Sequence, residues 1–384
     1  MKHQTTRYGE IPFYKIGTFG NTADAFISKK LFLEYKTKYS FPKKGDILIS
    51  ASGTIGRAVI YDGKPAYFQD SNIVWIDNDE TLVKNDFLFY AYSNIKWNTE
   101  HTTILRLYND NFRNTLIPLP PLNEQIAIAN ILSDLDHYLY SLDALILKKE
   151  GVKKALSFEL LSQRKRLKGF NQAWQRVRLG DIAEIKRGAS PRPIENPKWF
   201  CANSNVGWVR ISDISKNSRF LYKTAQKLSK KGIEKSRFIK QNSLIMSMCA
   251  TIGKPIITKI DTCIHDGFVV FENPKIDLNY LYYFLCYIEK EWLESGQQGS
   301  QVNLNVDLIK NKEVFYPKDL NEQIAIANIL SDLDHEIISL KNKKRQFENI
   351  KKALNHDLMS AKIRVLKKNK DCIKRGSLCN PCKA

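Results

Sequence analysis

The 384 residues suffice for two or three domains of ordinary size, and 43% apolar residues suffice for real cores. Lys and Arg outnumber Asp and Glu by 60 to 40, a formal net charge of +20, which points to a polyanionic partner, nucleic acid or an anionic membrane surface, rather than a merely well-solvated basic surface. No apolar run approaches the ~20 residues of a membrane span, Met1–Glu10 is polar without a secretory h-region, and the seven cysteines, none in the first half, are odd in number, which excludes a disulfide framework and fits a reducing cytoplasm.

In chain order, residues 1–117 read as a mixed α and β domain. Ile47–Ala51, Ala58–Tyr61 and Ile73–Ile76 have the composition of short strands with Gly punctuation, and Asn85–Trp97 that of an aromatic-rich helix. The aromatics fall on one face, as core residues do, rather than as base-stacking platforms. Lys43, Lys44, Arg57, Lys64 and Arg106 stand in or near the connections. Guanidinium groups can read base edges, while Lys mainly neutralises phosphate, so these five are the first domain's candidate DNA contacts.

Residues 118–168 follow as a long helix. Pro120 and Pro121 stop the preceding structure, and Asn123 is placed to serve as an N-cap. From there apolar residues recur at Ile128, Ile131, Leu135, Leu139, Leu142, Ile146, Val152, Leu156 and Leu160. Steps of three and four describe a coiled-coil seam, and a helix from Leu122 to about Gln163 would be roughly 60 Å long at 1.5 Å per residue.

Residues 169–316 read as a second mixed domain. Val209–Ile211, Leu244–Met248, Pro255–Thr258 and Phe268–Phe271 are its expected strands, and Leu278–Glu294 its aromatic helix. Its candidate DNA contacts are Lys186, Arg187, Arg192, Arg210 and Lys254, with Gln297, Gln298, Gln301 and Asn303 supplying amides on a flexible Gly/Ser backbone. Residues 317–366 then repeat the helix. Leu320–His335 is identical over 16 residues to Leu122–His137, and Lys351-Lys352-Ala353-Leu354 repeats Lys153-Lys154-Ala155-Leu156 at the same offset. The second seam runs through Ile326, Ile329, Leu333, Ile337, Leu340, Phe347, Ile350, Leu354 and Leu358, after Pro317 and the cap candidate Asn321. Upstream the similarity is weak but present: Thr54-Ile55-Gly56-Arg57 resembles Thr251-Ile252-Gly253-Lys254.

Two variable parts with near-constant helices predict an α+β protein, with two mixed α/β domains separated by an antiparallel coiled coil of two long helices common to both halves. A seam constrains only its own residues, yet polar positions of the helix are repeated too. Either recent gene conversion copied the segment, or both copies meet one kind of partner. On the second reading Glu124, Gln125, Asn130, Asp134, Glu322, Gln323, Asn328 and Asp332 are docking candidates.

Catalytic motifs are missing. The sequence has no phosphate-binding Gly-rich loop followed by Lys-Ser or Lys-Thr, no pair of carboxylates with a nearby Lys of nuclease type, and no amino-methyltransferase tetrad. Asn196-Pro197-Lys198-Trp199 echoes that tetrad only in part and reads as a loop. Cys372, Cys379 and Cys382 with His356 could supply four zinc ligands, but the basic run between them favours a frayed tail over 367–384. No metal site and no enzyme activity are assigned.

The stretch Ile117-Pro118-Leu119-Pro120-Pro121-Leu122-Asn123-Glu124-Gln125-Ile126-Ala127 resembles the close of a target-recognition domain in specificity subunits of type I restriction–modification enzymes. Tyr316-Pro317-Lys318-Asp319-Leu320-Asn321-Glu322-Gln323 repeats it. Trp174-Gln175-Arg176-Val177-Arg178-Leu179-Gly180-Asp181-Ile182 with Lys186-Arg187-Gly188 resembles the opening of such a domain, and Gly299-Ser300-Gln301-Val302-Asn303-Leu304 its late polar loop. The resemblance implies that each domain reads one half of a split double-stranded DNA target. It implies that the helices set the spacing and dock two methyltransferase subunits, and that motor-nuclease subunits join the complex. S-adenosylmethionine, ATP and Mg would then belong to those partners, and this chain would bind no cofactor.

One departure stands out. The second domain has about thirty residues, Trp174 to Val206, ahead of the point where Trp208–Ile211 aligns with Ile11–Ile16, and the first has ten. Nothing in Lys362–Ala384 resembles the missing block. An N-terminally truncated or silent specificity-gene product with one competent recognition domain is therefore one alternative reading, and a non-catalytic coiled-coil adaptor is another.

Overall fold

A computed structural model describes residues 4–68, 72–97, 106–295 and 304–366. They form two compact units, the first built from residues up to 144 and from 342 onward, the second from 145–341.

The first unit contains β1 (Ile11–Tyr14), β2 (Ala25–Ile27), α1 (Lys29–Lys38), β3 (Ile47–Ser50), β4 (Ala58–Ile60), β5 (Tyr67–Phe68), β6 (Ile73–Ile76), α2 (Asn85–Tyr92), α3 (Asn109–Arg113) and the start of α4 (Leu122–Leu161). Two three-stranded sheets form, in the orders β2-β1-β5 and β4-β3-β6. Successive side chains of β3 point to opposite faces. Leu48 therefore packs with Phe19, Tyr61 and Ile73, while Ile47 and Ile49 meet Leu88 and Tyr92 of α2. Both faces of β3 are covered, which explains its unbroken apolar run. Helix α1 starts at Ser28, whose hydroxyl accepts the Leu31 amide at 3.3 Å.

The second unit continues with β7 (Trp174–Arg178), α5 (Leu179–Ile182), β8 (Glu184–Arg187), β9 (Gly207–Val209), α6 (Ile211–Ser215), β10 (Phe220–Leu221), β11 (Gln226–Lys227), α7 (Lys230–Glu234), β12 (Arg237–Ile239), β13 (Leu244–Ser247) and β14 (Pro255–Thr258). It closes with β15 (Thr262–Ile264), β16 (Phe268–Glu272), α8 (Leu278–Tyr287), α9 (Glu289–Ser295), α10 (Val306–Asn311), β17 (Glu313–Pro317) and the start of α11 (Leu320–Met359). Its sheets run β10-β14-β13-β16-β8, β11-β9-β15-β12 and β17-β7. Ile245, Ile256, Phe268 and Val270 fill the space shared with Val209 and Ile264, and Leu244, Met246, Val269 and Phe271 fill the opposite face against α8.

The duplication is visible in the pairing. β1 pairs parallel with β5 and antiparallel with β2, as β9 does with β15 and β11. β3 lies antiparallel between β4 and β6, as β13 does between β14 and β16. Around this shared frame the second unit adds β8 beside β16, β10 beside β14 and β12 beside β15.

Several expectations are corrected. The strand expected over Val209–Ile211 stops at Val209, because the Asp213 carboxylate accepts the Arg210 amide at 2.9 Å and turns the chain into α6. The helix expected over Leu278–Glu294 breaks at Ile288 into α8 and α9, and that over Asn85–Trp97 ends at Tyr92. The long helices begin at Leu122 and Leu320, so Asn123 and Asn321 lie inside the first turn and are not caps. The Pro121 carbonyl accepts the Glu124 and Gln125 amides, and Asp319 caps the second copy through its carboxylate and carbonyl.

The seam is corrected as well. Ile131, Val152 and Ile350 are exposed. Ile128, Ala129 and Leu132 pack on Phe87, Tyr90 and Ala91 of α2, and Ile326, Ala327 and Leu330 take the same role against α8. The first turns of each helix thus belong to the core of their own unit.

Candidate nucleic-acid interface and the faces of the repeated helices

The second unit gathers guanidinium groups around one turn, His265–Gly267, between β15 and β16. Arg187 Nε donates to the Asp266 carbonyl at 2.8 Å, and Arg192 Nη2 to the Asp266 carboxylate at 3.1 Å. Ser190 Oγ donates to the other carboxylate oxygen at 2.7 Å, and Arg237 Nε donates to the Arg187 carbonyl. The Ser190 bond above all, with the Arg192 charge beside it, holds the Asp266 carboxyl below the usual range. Burial pushes the His265 imidazole down, so it is neutral near pH 7 and its Nδ1 accepts the Gly267 amide at 2.9 Å. Arg192 itself remains about three-quarters exposed, with donors left for an anion or a base edge. Arg210 is exposed at the same end, where its charge bears on His265. Arg187, Arg192 and Arg210 were candidates from the sequence and are exposed here, while Ser190, Arg237 and Asp266, which hold the turn, were not among the candidates.

The other basic candidates differ in setting. Lys186 lies between Glu184 and Glu272, at 2.9 and 2.5 Å, so its charge is answered internally. Lys254 is half-buried near Glu289. In the first unit Lys43 pairs with Asp77 and Lys64 with Asp62 in exposed ion pairs, and Lys44 is exposed. Arg57 Nη1 donates to the Phe19 carbonyl at 2.9 Å, and Arg106 stacks on the Tyr108 ring at 5.7 Å. Gln297, Gln298, Gln301, Asn303 and the cysteines of the tail lie outside the described residues.

The Thr-Ile-Gly repeat has a structural cause. Gly56 and Gly253 both have positive φ, +79° and +77°, and a Cβ on either would collide with an indole, Trp97 or Trp292. Ser50 and Ser247 donate to the Thr54 and Thr251 carbonyls, tying the same turn. Arg57 and Lys254 therefore follow a turn that is fixed by packing.

On the helices the repeated polar residues fall into two groups. Glu124, Gln125, Glu322 and Gln323, expected to face a partner, are buried and answered within their own units. Arg364 grips Glu124 with two bonds, 2.7 and 2.5 Å, and Arg166 grips Glu322 at 3.2 and 2.7 Å, with the Trp174 indole adding a third donor at 3.3 Å. Gln125 accepts the Lys84 amide and donates to the Pro120 and Leu82 carbonyls, and Gln323 accepts the Asp277 amide and donates to the Pro317 carbonyl. Asp136 receives Tyr90 and Lys351; Asp334 receives Tyr283 and Lys153. These ion pairs, with Lys344–Asp143 in the first unit and Lys149–Glu336 in the second, run antiparallel along the paired helix segments.

What remains outward is a second stripe. Leu122, Ile126, Asn130, Asp134 and His137 are exposed, as are Leu320, Ile324, Asn328, Asp332 and His335. Every pair is identical, and packing inside the unit accounts for none of them.

The Glu124 clamp has a pH consequence. The Arg364 bond holds the Glu124 carboxyl below the usual carboxylate range. A depressed folded-state pKa stabilises the fold above the unfolded pKa and is lost as pH falls through the folded one. Protection of the amides at the end of α11, taken relative to their intrinsic exchange rates, is expected to hold from neutrality through the ordinary glutamate range and to fall in stronger acid. Protection that does not change with acid would separate the clamp from the helix end.

Among the described residues no helix is long and apolar enough to cross a membrane, and no cluster of three or more His, Cys, Asp or Glu is placed to hold a metal ion.

Comparison with known proteins places these features. The family described as the type I restriction modification DNA specificity domain matches residues 1–149 and 171–349. A putative type I restriction enzyme specificity subunit, S.HindORF215P of Haemophilus influenzae, is 65% identical over 133 residues, about a third of each chain (34% of both). The MjaVIII specificity subunit of Methanocaldococcus jannaschii is 27% identical over 372 residues, covering 89% of this chain and 84% of that one. The fold matches the crystal structure of an S subunit from M. genitalium with a TM-score of 0.60 at 18% identity, over 94% of this chain and 91% of that one.

Proposed function

The chain belongs to the type I restriction–modification DNA specificity family, and on that premise we propose that it reads a bipartite double-stranded DNA target, one half with each unit. Target recognition on DNA is the family's activity; division of the target between the units is our reading. The observation that carries it is the contrast between the two copies. Their strand frames and helices agree, while the polar groups presented around the frames differ, as two readers of different sequences would. The net charge of +20 and the arginines around Asp266 supply phosphate and base-edge donors.

The helices set the distance between half-sites, and the exposed stripe repeated on each takes one copy of the same partner, a methyltransferase subunit. Motor-nuclease subunits join through that complex. S-adenosylmethionine, ATP and Mg are bound by those subunits, and the assembly works in the cytoplasm. The chain itself contributes recognition rather than chemistry. Asp134→Arg with Asp332→Arg is expected to abolish co-purification with the methyltransferase subunit while leaving the thermal transition in place, since both residues are exposed. Retained assembly would remove the stripe from the docking surface.

Footprinting tests the main reading. With methyltransferase subunits added, two separated DNA tracts are expected to be protected; one continuous or sequence-independent tract would overturn the bipartite reading. Arg192→Ala is expected to weaken binding at one half-site roughly tenfold, by about 1–3 kcal/mol if it reads a base. If it holds phosphate instead, the loss is uniform across sequences and the salt slope falls by about one. No change in either would exclude Arg192 from the interface.

A further inference from the structure

The two copies differ in one place where the second shows what the first leaves open. In the second unit β8 closes the five-stranded sheet by pairing with β16, Arg187 opposite Val269, Lys186 opposite Val270 and Ile185 opposite Phe271. With β8 in place the first four residues of β16 are buried. β7 pairs along the whole of β17, ahead of the long helix, and α5 packs on α10.

In the first unit the matching surfaces have no such cover among the described residues. The sheet ends at β6, whose residues Val74, Trp75 and Ile76 are half-exposed. The stretch ahead of α4 forms no strand, and Leu116 is 94% exposed where Val314 of β17 is fully buried. Helix α3 has no buried residue, whereas α10 buries Ile309. The described residues ahead of β1 do not fill these positions: Thr6 bridges β2, opposite Phe26.

We propose that the first unit carries an acceptor edge for a separate polypeptide segment with the chemistry of Trp174–Arg187, a strand, one helical turn and a second strand. The second strand lies antiparallel on β6 and the first on Leu116–Leu119. Register follows from the shared frame. Ser50 opposes Ile73 as Ser247 opposes Phe268, so β6 and β16 align residue for residue. The incoming Ile185-like residue then stands opposite Ile76, the Lys186-like residue opposite Trp75 and the Arg187-like residue opposite Val74. Backbone bonds give the affinity and the half-covered apolar side chains the fit. Charge agrees. The block carries Arg176, Arg178, Lys186 and Arg187 against Asp181 and Glu184, and the end of β6 runs into Asp77, Asp79 and Glu80. In the second unit Lys186 already makes this bond, to Glu272 at the end of β16.

The inference rests on the internal duplication and not on DNA reading, and its test needs no DNA. A synthetic peptide of residues 172–190 is added to the full chain, and hydrogen exchange is followed across Ile73–Ile76. Saturable protection of at least tenfold is expected, with a blue shift of tryptophan emission as Trp75 is covered. The same peptide carrying Lys186→Pro, which cannot donate to the ladder opposite Trp75, is expected to give neither. Three results would overturn the proposal: no protection at millimolar peptide, equal protection by the proline peptide, or protection that rises with protein concentration alone. The last would mean that a second copy of the chain covers the edge.

Discussion

Gly253→Ala is expected to destabilise the second unit by about 2–5 kcal/mol. Two costs add. The left-handed backbone at φ +77° costs an L-residue roughly 1–2 kcal/mol, and the new methyl group overpacks the Trp292 indole, which is itself almost fully buried, for about 1–3 kcal/mol more. Neither side can give way easily, because the turn is tied by Ser247 to the Thr251 carbonyl and the indole lies in the main core. Urea unfolding of the full chain should show the early transition shifted with little change in slope. Gly151→Ala is the control. It lies on an exposed stretch of α4 with no neighbour near its Cβ, and there alanine is expected to stabilise by about 0.5–1 kcal/mol. Equal effects at the two positions would refute the steric account.

Glu322→Gln carries the second large effect, on the order of 3 kcal/mol. The substitution keeps the shape and removes the charge. Arg166, three-quarters covered, then loses its counter-ion, and the Trp174 indole faces an amide that cannot satisfy all three donors. Glu124→Gln makes the same change in the first unit, but Arg364 is half exposed and no indole takes part, so a smaller loss is expected there. Ranking the two by chemical denaturation tests whether burial, rather than identity of sequence, sets the cost.

These two positions also mark how far the amino-acid sequence could be read. The long helices were legible because period and repetition agree over forty residues, and β3, β6, β13, β14 and β16 because they are apolar runs between Gly-containing turns. The strands β1, β2, β5, β7 and β8 were not, being two to five residues long with mixed patterns whose pairing is decided at a distance. Gly253 and Trp292 are neighbours only after folding, and no local signal joins them. Glu124 and Glu322 were assigned outward because identity between copies does not distinguish a partner's surface from an internal clamp. A signal did exist. Arg166 and Arg364 are themselves related by the offset that relates the two glutamates, and a residue pair repeated together is what an internal bond leaves behind. Among the candidate DNA contacts, Arg187, Arg192 and Arg210 were chosen by type and position, and the structure leaves them exposed. Asp266, which arranges the first two, carries the wrong sign for a polyanion's partner and so went unread.

The clamps also impose an order on synthesis. Arg166 and Glu322 enclose a single uninterrupted stretch of chain, so the second unit has everything it needs once α11 has begun to emerge. Glu124 must wait for Arg364, 240 positions later, on the order of ten to fifty seconds at ribosomal rates. The half of the protein made first is therefore the half finished last, and until then the buried side of its helix, Ile128, Ala129 and Leu132, has only α2 to lie on.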